Sequence, residues 1–66
     1  MIRKIERTLD ALMETMTIDE LYSILDNNFI DLPLYLDEYG NIDEIDASAS
    51  YEILDTLTDI LNGAIA

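Results

Sequence analysis

Apolar residues recur along this chain at two periods, and the change between them marks its elements. Ile2, Ile5, Leu9, Leu12, Met13 and Met16 fall on one face of a helix. The spacing predicts an amphipathic helix over residues 2–15, with Arg3, Glu6, Arg7, Asp10 and Glu14 away from the apolar stripe. Thr17-Ile18-Asp19-Glu20 then reads as a capping box, in which Thr17 accepts from the Glu20 N–H and Glu20 reaches back to the N–H of Thr17. Met16 before the cap and Leu21 after it are placed for a hydrophobic staple. A second helix is expected from Ile18 to Asp26, with Leu21, Tyr22 and Leu25 inward. Asn27-Asn28 is the expected stop, because Asn tolerates the left-handed conformation found just past helix ends.

The helical period fails after Asn28. Phe29, Ile30, Leu32, Leu34, Tyr35 and Leu36 form an apolar segment interrupted by Pro33, which cannot donate to a sheet ladder. That restricts the segment to an edge strand or an extended loop. Tyr39-Gly40-Asn41 signals a turn, and Ile42 and Ile45 flank a short acidic return. The pairing expected is 34–37 with 42–45. Residues 47–62 read as a third helix on Ile53, Leu54, Leu57, Ile60 and Leu61, capped by Asp46, Ser48 or Ser50 and ended by Asn62-Gly63. The tail Ala64-Ile65-Ala66 either folds back on the core or joins a subunit contact. The fold class expected is mainly α, with α+β as the variant: three amphipathic helices and a short β-hairpin or extended loop between the second and third. Residues 1–66 form a single small acidic domain without repeats or linkers.

Composition decides how such a chain holds together. Half of the residues are hydrophobic, which separates it from disordered acidic chains despite a net charge of −12. Domains of about 60 residues bury only roughly 60% of the surface their unfolded chain exposes, so the margin is thin. There is no Cys for a disulfide and no His for a zinc site of the usual kind. Oligomerisation is the remaining common support, and a homodimer is expected. The absence of Cys fits a reducing cytoplasm. No apolar run approaches the ~20 residues of a membrane span, and no apolar stretch follows the N-terminal charges as in a secretory signal.

Charge is where the chain departs most from an ordinary domain. Arg3, Lys4 and Arg7 are its only basic residues, and 59 residues follow without Lys, Arg or His. Fourteen of the fifteen carboxylates lie in that stretch. Ordinary surfaces intersperse the two signs. Crowded like charges raise carboxylate pKa values, so the fold should gain stability with added salt and as pH falls toward those values. The three basic residues have a local use, since Arg3–Glu6 and Arg7–Asp10 can pair at i,i+3 for about 0.2–0.5 kcal/mol each. The alternative is a subunit contact onto the acidic body.

Two helical rows stand out among the carboxylates. Glu52, Asp55 and Asp59 lie opposite the apolar stripe of the third helix, and Glu6, Asp10 and Glu14 do the same on the first. Helix neighbours three or four apart lie about 5–6 Å apart at Cβ, the scale of successive phosphates along one nucleic-acid strand. Asp37, Glu38, Asp43, Glu44 and Asp46 add a second cluster on the loop, with Asp26 and Asp31 placed to bridge. The bland reading of any such run is a solvated face. Unrelieved repulsion over 59 residues weighs against it here.

Other chemistries fit less well. Aligning Gly40 with the invariant Gly of an EF-hand loop puts Tyr35 and Tyr39 where oxygen ligands belong, so no dedicated metal site is expected. With no His or Cys, and no candidate base expected beside Ser48 or Ser50, no catalytic residue is assigned and an enzyme is not expected. No cofactor is implied. Acyl-carrier domains share the size and charge, but their Asp-Ser-Leu motif is absent: the serines occur in Tyr22-Ser23-Ile24, Ala47-Ser48-Ala49 and Ala49-Ser50-Tyr51. Such an anion does not suit direct binding to nucleic acid or anionic membrane.

On its two carboxylate rows, its loop cluster and its lack of Cys and His, the chain resembles the small acidic DNA-mimic inhibitors encoded by bacteriophages. The resemblance is compositional and involves no diagnostic motif. Such proteins share no single fold, so it implies nothing about architecture. It implies a partner, the basic DNA-binding surface of a host protein, and a place of action in the host cytoplasm. The phosphate-mimicking residues would be Glu6, Asp10, Glu14, Asp37, Glu38, Asp43, Glu44, Asp46, Glu52, Asp55 and Asp59. The second reading is a small regulatory module that binds a partner through an apolar helix face.

Overall fold

Helices α1 (Ile2–Met13), α2 (Ile18–Asn27) and α3 (Ser50–Leu61) and a hairpin of β1 (Leu34–Leu36) and β2 (Ile42–Ile45) make up the structure, a computed structural model describing residues 1–66. The fold is mainly α with a small antiparallel β part between α2 and α3. Of the two forms expected for residues 34–45, the hairpin is the one adopted.

Each apolar stripe supplies one side of the core. Ile5, Leu9 and Leu12 of α1 meet Ile53, Leu57 and Ile60 of α3, and Leu21, Leu25, Leu32 and Leu34 close the cluster. The first and last helices therefore pack together, which makes the core depend on contacts distant in sequence. Ile2 and Leu61, at the outer ends of their stripes, stay about two-fifths exposed, at 42% and 41%. Tyr22 is half-buried, and its hydroxyl accepts the Leu36 N–H at 3.0 Å, tying α2 to the hairpin. No buried side-chain polar atom lacks a hydrogen-bond partner.

The capping box at α2 forms as its sequence dictates. The Glu20 N–H donates to Thr17 Oγ1 at 3.1 Å, and the Thr17 N–H donates to Glu20 Oε1 at 3.4 Å. At the other end of α2 the expected stop shifts by one residue. Asn28 is the C-cap, and the left-handed residue is Phe29, with φ 57°. The Phe29 N–H donates to Asp26 O and the Ile30 N–H to Leu25 O, the two bonds of a Schellman motif. Ile30 packs against the core cluster that contains Leu25, the apolar contact that accompanies this motif. The same device ends α3, this time with Gly63 at φ 79°. The Asn28 side chain donates to Ile24 O at 2.8 Å and to Ala66 O at 3.0 Å, and Ile65 packs on the core. The tail therefore folds back.

The hairpin solves a spacing problem. Ile42 and Ile45 are three apart, so a regular strand would send them to opposite faces. Leu36 pairs with Ile42 and Tyr35 with Glu44, which leaves Asp43 as a bulge. The extra residue puts Ile42 and Ile45 both against the core, while Asp43 and Glu44 face solvent. The turn is built on Asp37, whose carbonyl accepts the Gly40 N–H at 3.1 Å and whose Oδ1 accepts the N–H groups of Tyr39 and Asn41, both at 2.9 Å. Pro33 sits where its missing donor does no harm: the Leu34 N–H bonds Leu32 O across it, and its own carbonyl accepts from Asp46.

Gly40 holds φ 83° in this turn and is buried against Met13. A methyl added there would meet Met13 Cγ at 3.4 Å, an ordinary contact, so Gly40→Ala is penalised by backbone strain rather than by crowding. The expected cost is about 1–2 kcal/mol. Gly63→Ala, with φ 79° and open space around it, should cost a similar amount in thermal melts. A Gly40→Ala protein as stable as wild type would contradict the turn geometry.

The third helix starts later than its pattern predicts. Residues Ala47–Ala49 form a single 3-10 turn before α3 begins at Ser50. Of the candidate caps, Asp46 caps the 3-10 turn, and Ser50 Oγ donates to Ala47 O at 2.7 Å. The N-cap of α3 itself, Ala49, offers no side-chain bond. No helix is long and apolar enough to cross a membrane.

Candidate acidic interaction surface

Every carboxylate in the chain except the half-buried Asp37 is exposed. On α1, Glu6 and Asp10 project from the helix, and Glu14 continues the row as its C-cap with helical φ and ψ. On α3, Glu52 lies in the first turn and Asp55 and Asp59 follow on the solvent side. Both rows exist as helical rows.

The loop carboxylates divide by what their oxygens do. Asp37 Oδ1 is occupied by two backbone donors and organises the turn. Asp46 Oδ1 accepts from the Ser48 hydroxyl at 2.7 Å and the Ser48 N–H at 3.0 Å. Glu38, Asp43 and Glu44 are exposed, Glu44 opposite Tyr35 across the hairpin.

Tertiary packing gathers some of these groups around the hairpin tip. Gly40 seats near Met13 at the end of α1 and Ile18 at the start of α2. On one side an open groove of about 320 Å³ runs between Glu6 and Asp10 of α1 and Gly40, Asn41 and Ile42, with Leu9 in its wall. On the other, a groove of about 460 Å³ lies between Thr17, Ile18 and Asp19 and Leu36, Asp37 and Glu38. Asp19, expected from its sequence only as part of the capping segment, thus joins the acidic surface beside the turn. Its signal was its place in the first turn of a helix that docks on the hairpin, and that docking is not visible in a linear pattern. The α3 row lines neither groove. No group of three or more carboxylates is arranged to hold a metal ion.

The helix ends carry charges that do not serve helix stability. Anions favour helix N-termini and cations C-termini, each for about 0.3–1 kcal/mol. Helix α1 has no acid in its first turn, carries Arg3 and Lys4 there instead, and ends on Glu14. Neither α2 nor α3 has a basic residue in its last turn, where Asp26 and Asp59 stand. Only Asp19, Glu20 and Glu52 follow the rule.

Asp46 runs against the expected effect of crowding. Its pKa is held below the ordinary 3.8, first by the Ser48 hydroxyl and then by the Ser48 N–H, with slight desolvation opposing. Ser48 therefore has a carboxylate beside it, against the expectation that no candidate base stands there. Hydrogen bonds that stabilise the carboxylate form make it a weaker base, and the geometry is that of a cap. A carboxylate with a depressed folded pKa contributes stability that is present above its unfolded pKa, about 3.9, and lost as pH falls through the folded value. Asp46→Ala should lower the thermal midpoint near neutrality more than Asp43→Ala, which removes the same charge. The difference should narrow as pH drops below about 3.9. A difference that stays constant into acid would contradict the role of the ionised cap.

Comparison of this chain with family models, with curated proteins and with solved structures finds no match.

Proposed function

We propose that this protein is an acidic DNA mimic that binds the basic DNA-binding surface of a host nucleic-acid-binding protein and blocks its access to DNA. The supporting observation is that fourteen carboxylates follow Arg7 with no basic residue interspersed among them. The exposure of all of them but Asp37, and the placement of Glu14, Asp26 and Asp59 at helix C-termini where they oppose the dipole, support a use outside the fold. Such a field attracts a positive surface and speeds its association. The binding face would combine Glu6, Asp10 and Glu14 with Glu38, Asp43 and Glu44 near the hairpin, and Glu52, Asp55 and Asp59 on α3. Pairing of two copies would double these rows, and sedimentation of the free protein tests for that dimer.

The alternative, a module that binds through an apolar helix face, has less to work with. The stripes of all three helices are spent on the core, and the apolar residues left outside are scattered aromatics and helix-end residues.

Capture from bacterial lysate at low salt, with and without excess duplex DNA, tests the reading. Recovery of DNA-binding proteins that duplex DNA displaces is expected. Recovery only of partners indifferent to DNA would return the carboxylates to the role of a solvated face.

A further inference from the structure

Phe29 is out of place by two independent measures. It is the single Phe of the chain, and 96% of it is exposed. It is also the only non-glycine residue at positive φ. Left-handed backbone is strained for a bulky side chain, and the equivalent position of the same motif at α3 holds Gly63. A ring that packed on the core would explain the strain, but this ring touches solvent on nearly all sides. Unlike the exposed Tyr35, Tyr39 and Tyr51, it has no polar tip to favour that position. The fold accepts strain to project an apolar ring from which it gains no burial. Asp26 and Asp31, both exposed, stand three residues before and two after Phe29 in the chain, and no basic residue occurs in the sequence from residue 8 onward.

We propose that Phe29 is an apolar anchor that packs against an apolar patch on a cationic protein surface, with Asp26 and Asp31 meeting basic residues at the edge of that patch. Charge complementarity selects this occupant: interface anchors sit in an apolar centre within a polar rim, and the charged residues nearest Phe29 along the chain, Asp26 and Asp31, are both negative and exposed. The inference rests on the acidic-surface reading above and deepens it, because it adds an apolar component that DNA itself lacks.

The test compares wild type with Phe29→Gly, which removes the ring and relieves the backbone. Two labelled peptides serve as probes, an oligolysine and an amphipathic leucine–lysine helix with the same number of lysines. By fluorescence anisotropy at low salt, the leucine–lysine peptide is expected to bind wild type on the order of tenfold or more tightly than Phe29→Gly. Oligolysine is expected to bind both alike. Equal binding of the leucine–lysine peptide to both proteins overturns the anchor and leaves the electrostatic reading standing. Failure of both peptides to bind wild type overturns both. A thermal midpoint for Phe29→Gly equal to or above wild type is expected, and a lower one overturns the proposal by giving the ring a role in folding. So does sedimentation showing a wild-type dimer that Phe29→Gly abolishes, which would assign the ring to a second copy.

Discussion

Leu57→Ala should leave the protein largely unfolded in dilute buffer. Leu57 is fully buried between the helices that form the main packing of the fold. Truncating a buried leucine costs about 2–5 kcal/mol, from lost transfer energy and the cavity left behind. At about 0.05–0.15 kcal/mol per residue, a chain of 66 residues holds roughly 3–10 kcal/mol in total. Self-repulsion places this chain toward the low end of that range, where the substitution removes most or all of the stability. The self-repulsion of a net charge of −12 makes the margin depend on ionic strength. Added salt screens that repulsion, so it should raise the thermal midpoint of wild type and partly restore helical circular dichroism to the variant. A Leu57→Ala protein that melts within a few degrees of wild type would show that α1 and α3 do not form the core described.

The second large effect concerns the surface. Reversing Asp55 and Asp59 to lysine should weaken binding to a basic partner by on the order of tenfold or more, while Thr56→Ala should leave it unchanged. Both carboxylates are exposed and oppose the apolar stripe of α3, so the substitutions spare the core. Removing negative charge near the end of α3 should if anything stabilise that helix, because cations favour helix C-termini. Weaker binding by a protein at least as stable as wild type separates an electrostatic contact from a folding defect. The affinity of wild type should also fall steeply between about 50 and about 200 mM salt, as the attraction is screened. Affinity that ignores both salt and charge reversal would place the contact on apolar surface instead.

How much of this was legible in the sequence follows from the range of each interaction. The Thr17–Glu20 capping box and the Gly63 stop are local bonds between residues a few positions apart, and both form where their patterns stand. The helical stripes are local too: they name every helical residue of the buried core, while Met13, Met16, Tyr22 and Leu54 pack only at its edge and the end residues Ile2 and Leu61 stay exposed. The bulge at Asp43 escaped a strict two-residue period, because only the demand to bury both Ile42 and Ile45 requires it. Phe29 escaped for the opposite reason: two asparagines before it offered an easier left-handed residue, and no local rule chooses a phenylalanine. The late start of α3 reflects Asp46 capping a 3-10 turn rather than the helix proper.

The candidate surface divides in the same way. A row such as Glu52, Asp55 and Asp59 is a property of one helix and can be read from spacing alone. The approach of Glu6 and Asp10 to the hairpin tip, and of Asp19 to Asp37 and Glu38, depends on where the turn docks. That docking is set by Gly40 against Met13 and Ile18, contacts that join three elements. Asp37 and Asp46 look like their neighbours in a linear list of carboxylates. Only the structure shows their oxygens held by loop donors.

The most direct test of the central claim is a competition titration with a purified partner recovered by capture and a labelled duplex DNA that it binds. If the carboxylates occupy the DNA-binding surface, adding this protein should release the DNA completely, and the apparent affinity should weaken in proportion to the DNA present. A ternary complex, with partner, DNA and this protein bound together, would contradict it.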